Sequence, residues 1–231
     1  MEKHIIITGA SRGIGYEAAV ILAGRGCKVT AIARSEIKLK KLHQTNPGLI
    51  SVLSLDITQP GSIQDISEYL GKNRINIDGL IHNAGILVNK PFSDLTDEDW
   101  QLQLDVNLMG PVRLTRDLLP HFSEGAHILN ISSMGGFQGS EKFPGLSGYS
   151  ASKGALTILT ECLAAELSEK MIAVNCLCLG AVQTEMVEQA FPGIKAPVQP
   201  KEMGTYLADF ILNGHQFYNG KILPVALSNP T

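Results

Sequence analysis

"HIIITGASRGIG", residues 4–15, decides how the chain is read. A β-branched and aliphatic run, His4–Thr8, passes directly into a turn of glycine and small residues, and the turn opens a stretch of helical periodicity, Gly13–Arg25. A strand that turns on glycines and restarts as a helix leaves backbone N–H groups free at the positive end of the helix dipole. Such a site suits a phosphate. The register Gly13-x-Gly15-x-x-Ala18 satisfies a loose form of the dinucleotide fingerprint. The same letters also spell Gly9-x-Ser11-x-Gly13, the nucleophile elbow of a serine hydrolase. An elbow draws its oxyanion hole from a loop after an earlier strand, and no strand pattern precedes this one. The phosphate reading is preferred.

Working outward, short aliphatic runs recur at Lys28–Ala33, Ser51–Leu55, Gly79–His82, His127–Ser132, Ala173–Leu179 and Lys221–Val225. Helical periodicity fills the intervals at Ser35–His43, Gly61–Leu70, Asp97–Phe122, Tyr149–Ser168 and Pro200–Leu212. Strand and helix alternate almost throughout, which predicts an α/β, doubly wound Rossmann fold: a seven-stranded parallel sheet with helices on both faces. At 231 residues, 44% hydrophobic and 18% charged, residues 1–231 are expected to form a single domain around one sizeable core. Two stretches fit no element, the Gly- and Ser-rich 134–148 and the proline-bearing 191–199. Both follow strands at their carboxyl ends, where ligands bind in such sheets, so both are expected to shape a substrate pocket.

A net charge of −3 with no long basic run carries no footprint for nucleic acid or an anionic membrane. The apolar runs stop short of the roughly 20 residues of a membrane helix. Four cysteines (Cys27, Cys162, Cys176, Cys178) show no paired framework, and no secretory signal pattern is present. The reading is a cytoplasmic protein with reduced thiols. Cys176 and Cys178 alternate on one strand but lack further ligands at usable spacing, so no metal is expected.

After the second strand the chain reads "AIARSE". An acid at that strand tip would accept hydrogen bonds from the ribose 2′-hydroxyl of NAD, whereas an arginine pairs with the 2′-phosphate of NADP. Arg34 stands there, Ala33 leaves no carboxylate, and Arg12 in the glycine turn adds a second cation. Glu36 is the one residue that argues for NAD. In "YSASK", 149–153, a helix brings Tyr149 and Lys153 onto one face, about 6 Å apart at Cβ.

With the glycine turn, "HNAG" at 82–85, Asn107 in "DVNLMG", "NISS" at 130–133 and "YSASK" in that order, the chain resembles the short-chain dehydrogenase/reductase family from Lys3 to about Val225. It resembles most the NADP-preferring members, such as the 3-oxoacyl-acyl-carrier-protein reductases and carbonyl reductases. The resemblance implies NADP(H) as cofactor and a small carbonyl or alcohol as substrate, oxidised or reduced by hydride transfer. It implies a catalytic tetrad of Tyr149, Lys153, Ser133 and Asn107, with Ser132 structural. Gly9, Ser11, Arg12, Gly13, Ile14 and Gly15 would surround the pyrophosphate, Arg34 the 2′-phosphate and Asp56 the adenine. Asn83, Ala84 and Gly85 would back the ribose, and Gly180, Val182 and Thr184 would lie along the nicotinamide. Tyr149 would be the proton donor, Ser133 would bond the substrate oxygen, Lys153 would hold the nicotinamide ribose, and Asn107 would order a proton-carrying water. A phenol of pKa about 10 working near neutrality needs about 3 to 4 kcal/mol of help. An ammonium about 4 Å away at an effective dielectric of about 20 supplies about 4 kcal/mol, so Lys153, helped in the oxidising direction by the positively charged nicotinamide, is expected to supply most of a lowering of Tyr149.

Four departures from the family pattern carry expectations of their own. Leu179-Gly180 replaces the usual Pro-Gly, and His82, in place of an asparagine, is read as structural. The loop holding Phe137, Phe143 and Leu146 is long. The region after Thr184 is short, which predicts an open site. The resemblance also implies a homodimer or homotetramer joined through the helices at 97–122 and 149–168. Two other functions share this scaffold: a cofactor-binding regulator without turnover, and a non-redox lyase or epimerase.

Overall fold

The computed structural model describes residues 2–227. Seven strands, β1 (His4–Thr8), β2 (Lys28–Ala33), β3 (Ile50–Ser54), β4 (Ile77–His82), β5 (Phe122–Ser133), β6 (Ala173–Leu179) and β7 (Ile222–Val225), form one sheet in the order β3-β2-β1-β4-β5-β6-β7. All pairings are parallel. The fold class is the one the alternation predicts.

Both faces of the sheet are covered, because successive side chains of a strand point to opposite sides. Ile5 and Ile7 meet α1 (Gly13–Gly24), α2 (Glu36–Thr45) and α8 (Pro200–Asn213) through Ala18, Leu22, Leu39, Leu42, Met203 and Leu207. Ile6, between them in sequence, faces α3 (Pro60–Asn73), α5 (Gly110–Leu118) and α6 (Ser147–Glu166) through Ile63, Ile66, Leu114 and Ala164. Each of the central isoleucines is at most 1% exposed. Burying such a side chain stabilises the fold by about 1.5–3 kcal/mol, so a polar residue at any of them would be costly.

The expected long helix at 97–122 is broken. α4 (Asp97–Leu104) and α5 are joined by a π-turn, Asp105–Met109. The wider turn takes Asn107 off the regular helical face and lets its side chain bond to another segment, described below. β5 also starts earlier than its alternation indicates. While β4 advances from Ile77 to Gly79, β5 advances from Phe122 to His127, an irregularity that passes through Gly125 at φ 78°. A short helix, α7 (Glu185–Ala190), was not foreseen; Thr184 caps it by accepting from the N–H of Val187.

Three histidines are buried within the fold. His127 Nδ1 bonds the Ile211 carbonyl at 3.1 Å and its Nε2 meets the Asn175 amide at 3.0 Å. Asn175 Nδ2 also donates to the Tyr218 carbonyl while its Oδ1 accepts from Lys221 N–H, so His127 Nε2 must be the acceptor. His4 shares a bond with Thr30 and His82 with Thr115. Burial lowers His4 and His127 to about 4 and His82 to about 3. The unfolded chain therefore binds more protons as pH falls below about 6.5, and stability is lost from there down through about 4 at ~1.4 kcal/mol per pH unit per histidine. Thermal melts from pH 7.5 to 4.5 should show this loss, and His127→Gln, less stable at pH 7.5, should show a slope shallower by about one proton. An unchanged slope would contradict the assignment.

Candidate active site

The strand order reverses direction between β1 and β4, and the loops leaving their carboxyl ends part there. Gly9 turns the chain after β1 at φ 68°, and a Cβ on it would stand 2.8 Å from the Ala84 Cα, so only glycine lets the two loops approach this closely. Asn83 donates from its side-chain amide to the carbonyls of Thr8 (3.0 Å) and Gly9 (3.2 Å). α1 then begins without a side-chain cap and without an acid in its first turn. Its first N–H groups have no partner within the helix, and Gly13 and Ile14 line the adjoining cavity. Free N–H groups beside a positive dipole end fit a pyrophosphate.

The cavity has a volume of about 770 Å³ and extends across the carboxyl ends of the strands. One end is formed by Arg12, Ala33, Arg34, Lys38, Leu55 and Asp56. Glu36 does not line it. That carboxylate pairs with Lys40 at 2.7 Å on the outer face of α2, so the one residue that argued for NAD is turned elsewhere. Asp56 Oδ1 is held by Thr58 N–H and Oγ1 at 2.9 and 2.8 Å.

Tyr149, Lys153 and Ser133 meet on the other part of the wall. α6 supplies the first two and the end of β5 the third. Lys153, 3% exposed, donates to the Ile131 carbonyl at 2.8 Å and stands 6.0 Å from the Tyr149 ring centroid. Burial pushes the phenol up to about 12, against a smaller downward pull from the Ser133 hydroxyl. Burial likewise pushes Lys153 down to about 8, against the opposing pull of Cys176 and Cys178. The expected lowering of Tyr149 by Lys153 is thus not met in the protein alone. Both groups have lost hydration, and the ammonium is engaged by a backbone carbonyl.

Asn107 does not line the cavity. It is fully buried behind Gly85 and Ile86: its Oδ1 accepts from Ile86 N–H, and its Nδ2 donates to the Ile86 carbonyl and to Ser152 Oγ, each at 2.9 Å. Both amide protons are used, so the side chain positions the β4 loop against α6 and leaves no donor for a water. Gly15 is also absent from the wall. Its Cβ would fall 2.5 Å from Asn83 Nδ2 and 2.8 Å from the Gly9 carbonyl, which makes it a packing position beneath the turn. The remaining expected positions, Gly9, Ser11, Arg12, Gly13, Ile14, Arg34, Asp56, Asn83, Ala84, Gly85, Gly180, Val182 and Thr184, all line it. Ser132 donates to the Lys153 carbonyl at 2.9 Å, inside the protein.

Apolar side chains complete the cavity: Ile86, Leu87, Phe143, Leu146, Met186 and Ile194. Phe137 packs instead against Met134 and the two cysteines of β6. The short segment after Thr184 forms one wall of the cavity, with Ile194 still 51% exposed. Gln183 N–H bonds the Val198 carbonyl at 2.8 Å, Ala196 N–H bonds Gln183 Oε1 at 2.7 Å, and Asn89 Nδ2 bonds the Ala190 carbonyl at 2.8 Å. Leu179 continues the β6–β7 ladder into Gly180, whose N–H bonds Val225 at 2.9 Å. Lys38, Glu185 and Met186 were not foreseen; Lys38 carried a signal, one helical turn beyond Arg34 at the start of α2. No histidine lines the cavity among the described residues, so Ser11 has no base and the hydrolase reading falls. Among the described residues no group of three His, Cys, Asp or Glu is placed to hold a metal, and no helix is long and apolar enough to cross a membrane.

A family profile described as short chain dehydrogenase matches residues 3–195. The chain belongs to the short-chain dehydrogenase family. An uncharacterized oxidoreductase of Listeria monocytogenes is 33% identical over 193 residues, 80% of this chain and 77% of the relative. A 3-oxoacyl-[acyl-carrier-protein] reductase of Escherichia coli is 31% identical over 208 residues, covering 87% of this chain and 84% of the relative. The crystal structure of a 3-ketoacyl-(acyl-carrier-protein) reductase from Brucella melitensis complexed with NADH superposes with a TM-score of 0.87 at 25% identity, covering 99% of this chain and 98% of that one. As a short-chain dehydrogenase, the protein is an oxidoreductase that uses a nicotinamide cofactor.

Asn107→Ala should leave the buried Ile86 N–H and carbonyl without their partner and cost about 2 to 4 kcal/mol in urea unfolding. Ser152→Ala, which removes one acceptor from Asn107, should cost about 1 kcal/mol. Equal and negligible losses would show that the Asn107 bonds do not hold the β4 loop.

Proposed function

We propose that the protein reduces an uncharged, apolar ketone or aldehyde with NADPH, Tyr149 giving the proton. The observation that carries the reading is the meeting of Tyr149, Lys153 and Ser133 on one wall of the cavity. A protonated phenol at this position holds the proton that a carbonyl oxygen needs as it gains negative charge.

Each residue then has a role its position supports. Ser133, at the cavity wall beside Tyr149, bonds the substrate oxygen and stabilises the developing charge. The bound nicotinamide supplies the hydride. Tyr149 passes its O–H proton to the substrate oxygen, and the Lys153 ammonium, buried beside it, favours the phenolate left behind. Lys153 also faces the cavity as a donor for the nicotinamide ribose. Asn107 acts at one remove, by fixing Ile86 and Ser152 and through them the wall and the helix that carries Tyr149. Thr184, which lines the cavity beside Gly13, is the residue assigned here to the carboxamide.

The choice of NADP(H) rests on Arg12, Arg34 and Lys38, all at one end of the cavity, and on the absence of a carboxylate at the tip of β2. The apolar walls, with Leu87, Phe143 and Ile194 among their residues, favour an alkyl or acyl substrate over a sugar or an acid. The likeness to a 3-oxoacyl-acyl-carrier-protein reductase points the same way.

Oxidation of NADPH and NADH followed at 340 nm over ketones, aldehydes, diketones, quinones and 3-oxoacyl thioesters tests the reading. NADPH should be preferred, and Tyr149→Phe should lose about 10²–10⁴ in rate while still binding NADPH. Binding of NADPH without turnover of any carbonyl would favour a regulator. Product formed without net cofactor consumption would favour lyase or epimerase chemistry.

A further inference from the structure

Glu185 is the first residue of α7 and belongs, by sequence, to the segment that walls the substrate end of the cavity. Its carboxylate turns instead toward the glycine turn and α2. One oxygen, Oε2, takes the Arg12 guanidinium, and the other, Oε1, takes Lys38 Nζ at 3.5 Å. Three segments far apart in the chain, the glycine turn, the start of α2 and the start of α7, are joined by this one side chain. The cations it holds are two of the three that face the adenosine end.

We propose that Glu185 is an internal stand-in for the 2′-phosphate, a specificity residue that competes with it for Arg12 and Lys38 and latches α7 across the cavity while it does so. The inference rests on the preference for NADP(H) proposed above. A carboxylate left in place would repel a phosphate bound by the same two cations, so the two occupants exclude one another. All three side chains are about half exposed, at 48%, 49% and 44%. Ion pairs so exposed are weak and screened by salt. A phosphate carries up to two charges and more acceptor oxygens than a carboxylate, and out-competes it. The two cations hold the Glu185 carboxyl below the usual carboxylate range, so it stays charged and competing throughout the neutral range.

The consequence reaches the substrate. Met186 and Val187, the next residues of α7, line the cavity. A cofactor with a 2′-phosphate releases Glu185 and frees this wall to move, whereas one without it leaves the latch closed. Cofactor identity is thereby coupled to the shape of the substrate site, and by reciprocity a substrate that displaces α7 strengthens the hold on the 2′-phosphate.

The test compares 2′,5′-ADP with 5′-AMP, which differ by the 2′-phosphate alone, in calorimetric titrations of the wild type and Glu185→Gln at low salt. The wild type should bind 2′,5′-ADP at least tenfold more tightly than 5′-AMP. Glu185→Gln should tighten 2′,5′-ADP a further three- to tenfold and leave 5′-AMP within twofold. In hydrogen exchange, 2′,5′-ADP should raise the exchange of residues 187–191 in the wild type toward the level of free Glu185→Gln, and 5′-AMP should not. A wild type that prefers 2′,5′-ADP but gains nothing from Glu185→Gln, or weakens, overturns the stand-in and leaves the NADP(H) reading intact. Exchange at 187–191 that ignores the 2′-phosphate overturns the latch. No preference for 2′,5′-ADP in the wild type overturns the NADP(H) reading and the inference with it.

Discussion

The ends of β1 and β4 are tied to each other, and the site depends on that tie. Thr8 Oγ1 accepts from the N–H groups of Asn83 and Ala84 at 3.1 and 3.0 Å, while the Asn83 amide returns two bonds to the carbonyls of Thr8 and Gly9. Backbone groups that leave a sheet at its carboxyl edge lose their ladder partners and must find others if they are buried. Here they find one another, which fixes the glycine turn, the uncapped start of α1 and the 83–86 loop as one rigid floor. Asn107 extends the floor by bonding both polar groups of Ile86, and Ser152 carries it into α6. From the phosphate end of the cavity to Tyr149, each part is positioned by the one before it.

On that floor the chemistry is governed by desolvation. Tyr149 and Lys153 are both driven toward their neutral forms by burial, the phenol to about 12 and the ammonium to about 8. The protein alone therefore stores a proton donor rather than a phenolate. Ligands that displace water from the cavity also strengthen the interactions of the charges they bring, since interaction energies rise as the effective dielectric falls. A site of this kind waits for its charges to arrive with the ligands. The same logic applies at the other end, where Arg12 and Lys38 are exposed and are neutralised by Glu185 rather than by burial.

What was legible in the sequence was local. The strand ending in TGASRGIG, the parallel runs and the helix that pairs Tyr149 with Lys153 follow from periodicity and composition within about twenty residues, and all appear in the fold. Three things were not legible, each for a physical reason. The π-turn at Asp105–Met109 is selected by the bond from Asn107 to Ile86, which spans 21 positions and has no periodic signature. The raised phenol depends on what the assembled fold packs around Tyr149, which a spacing of four cannot convey. Glu185 reaches Arg12 across 173 positions. Gly15 and Asn107 sit within motifs that also hold cavity-lining residues, such as Gly13 and Val106, yet both lie behind the wall, because a motif records that a residue type is needed and not which side of the backbone needs it.

In the proposed reaction one cavity holds a nicotinamide at its floor and a carbonyl beside Tyr149. The most direct measurement is transfer of deuterium from the C4 position of labelled NADPH to a ketone accepted by the protein, read by mass spectrometry of the alcohol. The account predicts deuterium on the carbinol carbon without dilution by solvent hydrogen, and none above background with Tyr149→Phe. An alcohol that carries solvent hydrogen at that carbon, or labelled alcohol formed equally well by Tyr149→Phe, would contradict it.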